Sequence, residues 1–374
     1  MTVDRGERHR ARPTLAQVAA LSGVSVKTAS RALGGEPRVA TETRSRVQDA
    51  ADQLGYRPNG VARELRRGAS TSTLIGMLSG DLANPFYSRL AGGLERELRA
   101  NGLQLVIAST EEDPGLERQL VDTMLERRAR ALVIVSAIAE HDYLAAEKRH
   151  GIPFVFVDRP PVGLSADSVV LDNRGGARRG AEHLIAAGHR RIGLIGDLSR
   201  LATQRDRIEG FAEAMGAAGI AGWAEFLVED AHDVAGAEQA VTALLRRDPA
   251  PTALLTTNNR ITTGALRALR GHPAPPALIG FDDLELGEVL GISVIAHEPE
   301  EMGRQAARLL LDRLAGQTGP TRRVVLPTRL LARGSGERPP PRDSGVTARP
   351  RVRAGKSPGP TSDRGHDLET ATTH

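Results

Sequence analysis

Apolar positions recur at helical spacing in three short stretches near the start of the chain. Thr14-Leu-Ala-Gln17 matches a capping box and leads into Val18, Ala19 and Leu21, after which Ser22-Gly23 stops the helix. Ser25 can cap a second helix running to Leu33 and closed by Gly34-Gly35. Thr41 or Thr43 can start a third, with Val47, Ala50, Ala51 and Leu54 on one face and Gly55 as its stop.

From Thr73 the period changes. Short β-rich apolar runs at 74–78, 104–108, 131–135 and 154–157 alternate with amphipathic helical stretches at 86–100, 115–127 and 143–150. A second series takes strands at 168–171, 191–195, 226–228, 253–255 and 277–281, again with helices between them. Repeated βαβ units of this kind predict parallel doubly wound sheets, and two series predict two similar α/β lobes behind a small all-α headpiece. Such sheets bind ligands at the carboxyl ends of their strands, so the cleft between the lobes is the expected site.

Charge divides along the same boundary. Residues 1–68 carry a net +6, residues 69–333 a net −4 and residues 334–374 a net +2, within a total of +4. A basic head on a mildly acidic body assigns the polyanionic partner to the head alone. The chain has no Cys, which removes disulfides, thiol nucleophiles and Cys-ligated zinc. No run of eighteen apolar residues occurs and the N-terminus lacks the apolar core of a secretory signal, so a cytoplasmic protein off the membrane is expected. Residues 1–12 and 335–374 read as disordered tails, the second for its Pro-Pro-Pro at 339–341 and its lack of large apolar residues.

Two helices joined by a tight turn at Gly23 form a helix-turn-helix, whose second helix enters the major groove by its N-terminal end. Val26, Lys27 and Arg31 then face base edges, Arg31 as a bidentate donor to guanine and Val26 as an apolar contact. Thr14, Ser25, Thr28, Ser30, Tyr56 and Asn59 are assigned to phosphates, Ser25 and its neighbours also to capping.

The run Thr14-Leu-Ala-Gln-Val-Ala-Ala-Leu-Ser-Gly-Val-Ser-Val-Lys-Thr-Ala-Ser-Arg-Ala-Leu33, followed by Leu54-Gly-Tyr-Arg-Pro-Asn59, resembles the headpiece of the LacI/GalR family of bacterial transcriptional regulators. The resemblance continues through Asp81-Leu-Ala-Asn-Pro-Phe86, Gly188-His-Arg-Arg-Ile-Gly-Leu-Ile-Gly196, Gly280-Phe-Asp-Asp283 and Leu326-Pro-Thr-Arg-Leu330, and so covers residues 13–336. It implies a homodimeric repressor on a pseudo-palindromic double-stranded operator, with a core of periplasmic-binding-protein type that takes a small sugar-like effector. The implied organisation is a headpiece at 13–57, a hinge helix and linker at 58–72, and a core at 73–334. Lobe 1 then takes about 73–168 and 298–320, and lobe 2 about 169–297 and 321–334.

Within the hinge, the resemblance implies that Leu65 wedges into the minor groove, with Ala62 and Arg66 beside it. For the effector it implies Asp81, Asn84, Phe86 and Tyr87 on the first lobe, Asp158 and Asp172 near the lobe junction, and Thr203, Arg207, Asn258 and Asp282 on the second. The aromatic ring that the family often places after the third strand of lobe 2 is replaced by Ala231. His183 and His189 read as structural rather than as a metal pair, and neither a cofactor nor a metal is expected. No Gly-x-Gly-x-x-Gly opens a helix after a strand, and no Walker loop or His-Glu-x-x-His occurs, so no enzyme activity is expected.

Overall fold

In the computed structural model, which describes residues 13–57 and 72–341, the headpiece is three helices: α1 (Leu15–Ser22), α2 (Val26–Leu33) and α3 (Thr41–Leu54). Thr14 and Gln17 close a full capping box on α1, and Gly23 ends it in the left-handed conformation at φ 69°. Ser25 Oγ accepts from Thr28 N at 3.1 Å to start α2. α3 begins at Thr41, but its N-cap is Ala40 and no side chain caps it. Val18, Ala19, Ala29, Ala32, Val47, Ala50 and Ala51 form its buried core. With mainly Ala at the contacts the helix backbones approach closely, and Ala29 is fully buried.

The core runs β1 (Leu74–Ser79), α4 (Pro85–Ala100), β2 (Gln104–Ser109), α5 (Pro114–Glu126), β3 (Ala131–Ile134), α6 (Ala145–Arg149), β4 (Phe154–Asp158), β5 (Asp167–Leu171), α7 (Asn173–Ala186), β6 (Ile192–Ile195) and α8 (Ala202–Ala217). It continues with β7 (Leu227–Val228), α9 (Val234–Leu245), β8 (Ala253–Thr256), α10 (Asn259–Leu269), β9 (Ala277–Phe281), β10 (Ser293–Ala296), α11 (Pro299–Leu314), β11 (Arg323–Leu326) and β12 (Arg329–Leu331). Two six-stranded sheets result, in the orders β11-β5-β4-β3-β1-β2 and β12-β10-β9-β8-β6-β7, every pairing parallel except β10 with β12. Their central strands are buried along their whole length, as expected of sheets covered by helices on both faces.

Glycine sets the closest helix contacts. A Cβ at Gly93 of α4 would overlap the Glu300 carbonyl of α11, and one at Gly303 would overlap the Leu90 carbonyl. Gly210 of α8 meets the Arg174 carbonyl of α7 in the same way, so an equivalent crossing occurs in each lobe.

The chain crosses between the lobes three times, and the expected boundaries shift accordingly. β5, read as the first strand of the second series, lies in the first sheet, in register with β4 and β11. β11 also belongs to lobe 1 rather than to lobe 2. The apolar run at 168–171 suits either sheet equally, and its partner at 323–326 is too distant in sequence for any local pattern to reveal. Residues 335–338, expected to belong to a disordered tail, are bonded to the core. Ser335 Oγ donates to the Leu278 carbonyl at 2.6 Å and accepts from Ser293 N at 2.8 Å. His183 Nε2 meets Glu337 Oε1 at 2.6 Å, and His189 Nε2 meets the Arg338 carbonyl at 2.8 Å. Side-chain and backbone hydrogen bonds, which apolar content does not report, fix this segment. Among the described residues no helix is long and apolar enough to cross a membrane.

Candidate functional site

On the headpiece, the amphipathic α2 buries Ala29 and Ala32 and presents Val26, Lys27 and Arg31 to solvent. Arg31 is loosely paired with Glu36 at 3.4 Å, an exposed and weak contact. Thr14, Ser25 and Thr28 are engaged in capping. Tyr56 packs against the headpiece core, and Ser30 is half-buried. Asn59, Ala62, Leu65 and Arg66 lie outside the described residues.

The second site is the cleft, where the strands of both sheets end. Asn84, Phe86, Tyr87 and Asp158 from lobe 1 face Arg207, Asn258 and Asp282 from lobe 2 across a cavity of about 30 Å³. That is room for a water or two, far below the roughly 300 Å³ of the smaller ligand sites, so a larger guest requires the lobes to part. Three polar contacts draw them together: Asn259 Nδ2 donates to Asn84 Oδ1 at 2.8 Å, Arg260 pairs with Asp81, and Arg200 donates to the Glu112 carbonyl. Larger grooves of about 450 and 600 Å³ open at the opposite, N-terminal strand edges of the two sheets.

Asp158 and Asp282 occupy matching places at the ends of β4 and β9. Both are held in the left-handed region, at φ 70° and 66°. A non-glycine residue there is strained, and such strain concentrates at functional sites. Their electrostatics diverge. Burial pushes the Asp158 carboxyl up, against the nearby Arg159 and Arg207 charges. Burial acts on Asp282 in the same sense but is outweighed by the hydrogen bond from His297 Nε2 at 2.8 Å and by Arg207, so its carboxyl sits below the ordinary value. Between them the Arg207 guanidinium lies 3.9 Å from the Phe281 ring centroid, donates from Nε to Asn173 Oδ1 at 2.9 Å, and donates from Nη1 to the Thr257 carbonyl.

Under the first-lobe wall, Arg159 forks onto Glu112 at 2.6 and 2.8 Å and donates to the Ser136 carbonyl at 2.6 Å and to Tyr87 Oη at 3.3 Å. Asp158 and Arg159 are both buried. On the facing wall Asp197 Oδ1 meets His232 Nδ1 at 2.6 Å, and Asp197 Oδ2 accepts from Asn258 Nδ2 at 2.8 Å. The bond to Asp197 raises the His232 pKa. Burial works to raise the Asp197 pKa, but the His232 bond prevails and lowers it.

Seven of the ten expected effector residues thus share one cavity. Asp81 sits outside it, engaged by Arg260, and Asp172 caps α7 by accepting from Gly175 N at 3.0 Å. Thr203 is buried in the first turn of α8 and does not line the cavity. Ala231 is buried, donating to the Gly196 carbonyl, and its neighbour His232 occupies the cleft wall instead. Trp223 packs edge-to-face on Phe211, away from the cleft. Sequence reasoning passed over Glu112, Asp197, Arg200, His232 and His297 as site residues. His297 directly follows β10 and Asp197 stands two residues after β6, positions that the strand-end rule could have flagged.

The family model "Bacterial regulatory proteins, lacI family" matches residues 14–59, and "Periplasmic binding protein-like domain" matches residues 181–336. The HTH-type transcriptional regulator PtxS of Pseudomonas putida is 32% identical over 334 residues, which span 87% of this chain and 96% of that protein. Among solved structures, a complex of the transcriptional regulator CelR with cellobiose matches with a TM-score of 0.64 and 29% identity, over 87% of this chain and 100% of that one. The lac repressor dimer bound to operator and the anti-inducer ONPF matches with a TM-score of 0.72 and 25% identity, over 87% and 99%.

Proposed function

The chain belongs to the lacI family of bacterial regulatory proteins, and from that premise we propose a residue-level account of how this DNA-binding transcriptional regulator reads DNA and senses an effector. Val26, Lys27 and Arg31 read base edges, while the helix caps fix the entry angle of α2. A small polyhydroxylated effector enters between the lobes. The observation that carries this half is the convergence of Asp158, Arg207 and Asp282 on one cavity beside the Phe86 and Tyr87 rings. Carboxylates accept from vicinal hydroxyls, the Arg fork donates, and the rings cover the apolar face of a sugar. Sugar-type ligands in related proteins, such as cellobiose in CelR, favour the same class.

The protein acts as a dimer in the cytoplasm, as two half-sites require two headpieces. Its copies meet through the exposed Leu286, Val289 and Leu290 on lobe 2 and the half-exposed edge strand β2 on lobe 1, where Val106 and Ile107 face out. Effector binding shifts the balance between parted and closed lobes, and the regulator's operator affinity follows. Fluorescence anisotropy on its own upstream region, at several salt concentrations and with a panel of sugars, nucleosides and sugar phosphates, tests the account. Sequence-selective binding altered by a neutral sugar is the expected result; binding that no small molecule alters would overturn the effector half.

A further inference from the structure

All strands of the first sheet are parallel, so their N-terminal ends lie along one edge. The chain from the headpiece arrives at that edge, at Thr73, whose carbonyl accepts from Gln104 N. Next to it Arg130 N donates to the Leu74 carbonyl at 2.7 Å, so the turn that leads into β3 lies against the entry point. This turn carries Arg127, Arg128 and Arg130, and the end of α6, one strand further along, carries Lys148 and Arg149. Arg127, Arg128 and Arg149 are exposed, and Arg130 and Lys148 half-exposed.

Among the described residues none of these five side chains makes an ion pair or hydrogen bond, in a core region whose net charge is −4. Two carboxylates at this edge are already taken, Asp167 by Arg313 at 2.8 Å and Asp312 by Arg322 at 2.7 Å, while Glu126 and Glu147 flank Arg127 and Lys148 in sequence. The equivalent edge of lobe 2 also carries arginines: Arg190, Arg191 and Arg247 donate to backbone carbonyls there, while Arg246 and Arg270 are exposed. Cations at helix C-termini complement the helix dipole in both lobes; what distinguishes lobe 1 is that its cations lie beside the point where the chain from the headpiece enters the core.

Fourteen residues, 58–71, separate the described headpiece from the described core. Even fully extended they reach about 50 Å, so DNA held by the headpiece stays within range of this edge. We propose that the basic rim formed by Arg127, Arg128, Arg130, Lys148 and Arg149 is a second DNA-contacting surface, which binds the phosphodiester backbone flanking the sequence read by α2. The partner is double-stranded DNA, because closely spaced phosphates match a row of unpaired cations without any base-specific chemistry. The rim adds affinity and salt dependence but no sequence selectivity.

The inference rests on the DNA-binding reading, and its test separates the two. The full chain and the triple variant R127S/R128S/R130S are titrated with an operator duplex trimmed to its half-sites and with one extended by flanking DNA, from 50 to 200 mM salt. The unaltered chain should bind the extended duplex more tightly and with a steeper salt slope, and the variant should lose that difference while binding the trimmed duplex as before. Each lost phosphate contact flattens the log–log slope by about 0.9, which is roughly 3.5-fold in affinity over that salt range. Equal behaviour of variant and parent on the extended duplex would overturn the rim proposal alone, whereas failure of the parent on both duplexes would overturn the DNA-binding reading. A retained melting temperature and an unchanged effector response show that the variant is folded.

Discussion

Replacing Arg207 by Ala removes the cation that lies between Asp158 and Asp282. The residue is 7% exposed, and its guanidinium makes two charge-assisted hydrogen bonds and stacks on Phe281. Hydrogen bonds to charged groups contribute about 1.5–3 kcal/mol each, and stripping one member from a buried charged cluster costs about 3–5 kcal/mol. Taking the latter figure, the core should melt about 10 °C lower, at roughly 2–4 °C per kcal/mol for a domain of this size. Arg207→Lys retains the charge but loses the planar fork, so it should cost about 1.5–3 kcal/mol, one such bond, and remain folded. In effector binding the same loss amounts to roughly 10–100-fold, since 1.4 kcal/mol is tenfold. Anisotropy on labelled operator should find apo binding of the Lys variant within about twofold of the parent, with the effector dose–response displaced by that factor. A folded Lys variant whose dose–response midpoint does not move would refute the placement of Arg207 in the effector site.

Other perturbations follow from the same geometry. Arg31→Ala should cost about 1–3 kcal/mol at one base pair and relax selectivity there, seen as converging affinities for parent and single-base-changed operators. Gly93→Ala drives a methyl group into the Glu300 carbonyl and should destabilise lobe 1 by about 1–3 kcal/mol, measured as a lower urea midpoint. The folded chain holds the His232 proton more tightly than the unfolded chain does, so the contribution of the Asp197 pair is full below about pH 6.5 and fades as pH rises through the raised folded value. On the acid side Asp197 loses its contribution as pH falls through its lowered value. Urea midpoints of the parent should therefore decline from pH 6 to 9 more steeply than those of His232→Gln, and parallel curves would count against the pair.

Much of this was legible because the signals were local. The caps at Thr14 and Ser25, the left-handed stops at Gly23 and Gly55 and the apolar strand runs all act within a few residues. The family resemblance named Asp158 and Asp282, and both stand at strand ends. The contacts that close the cleft were not legible: Arg200 on the Glu112 carbonyl and Asn259 on Asn84 join residues 88 and 175 positions apart, and no periodicity records such a meeting. The same limit moved β5 and β11 into lobe 1. Asp81 and Asp172 follow β1 and β5, but their carboxylates have partners in Arg260 and in the first turn of α7.

The three crossings between lobes also dictate an order of assembly during synthesis. The headpiece can close as soon as residue 57 is made, because all of its contacts are local. The first sheet cannot be finished then or soon after. β5 ends at Leu171, and the strand that covers its outer edge does not begin until Arg323. At 5–20 residues per second a ribosome takes roughly 8–30 s to bridge that gap. During that interval the edge of β5 is open to other chains while most of the second lobe emerges. Neither lobe is a contiguous piece of chain, so neither can be cut out and expressed whole. A nascent copy carries a finished DNA-reading head on a body still unable to enclose an effector.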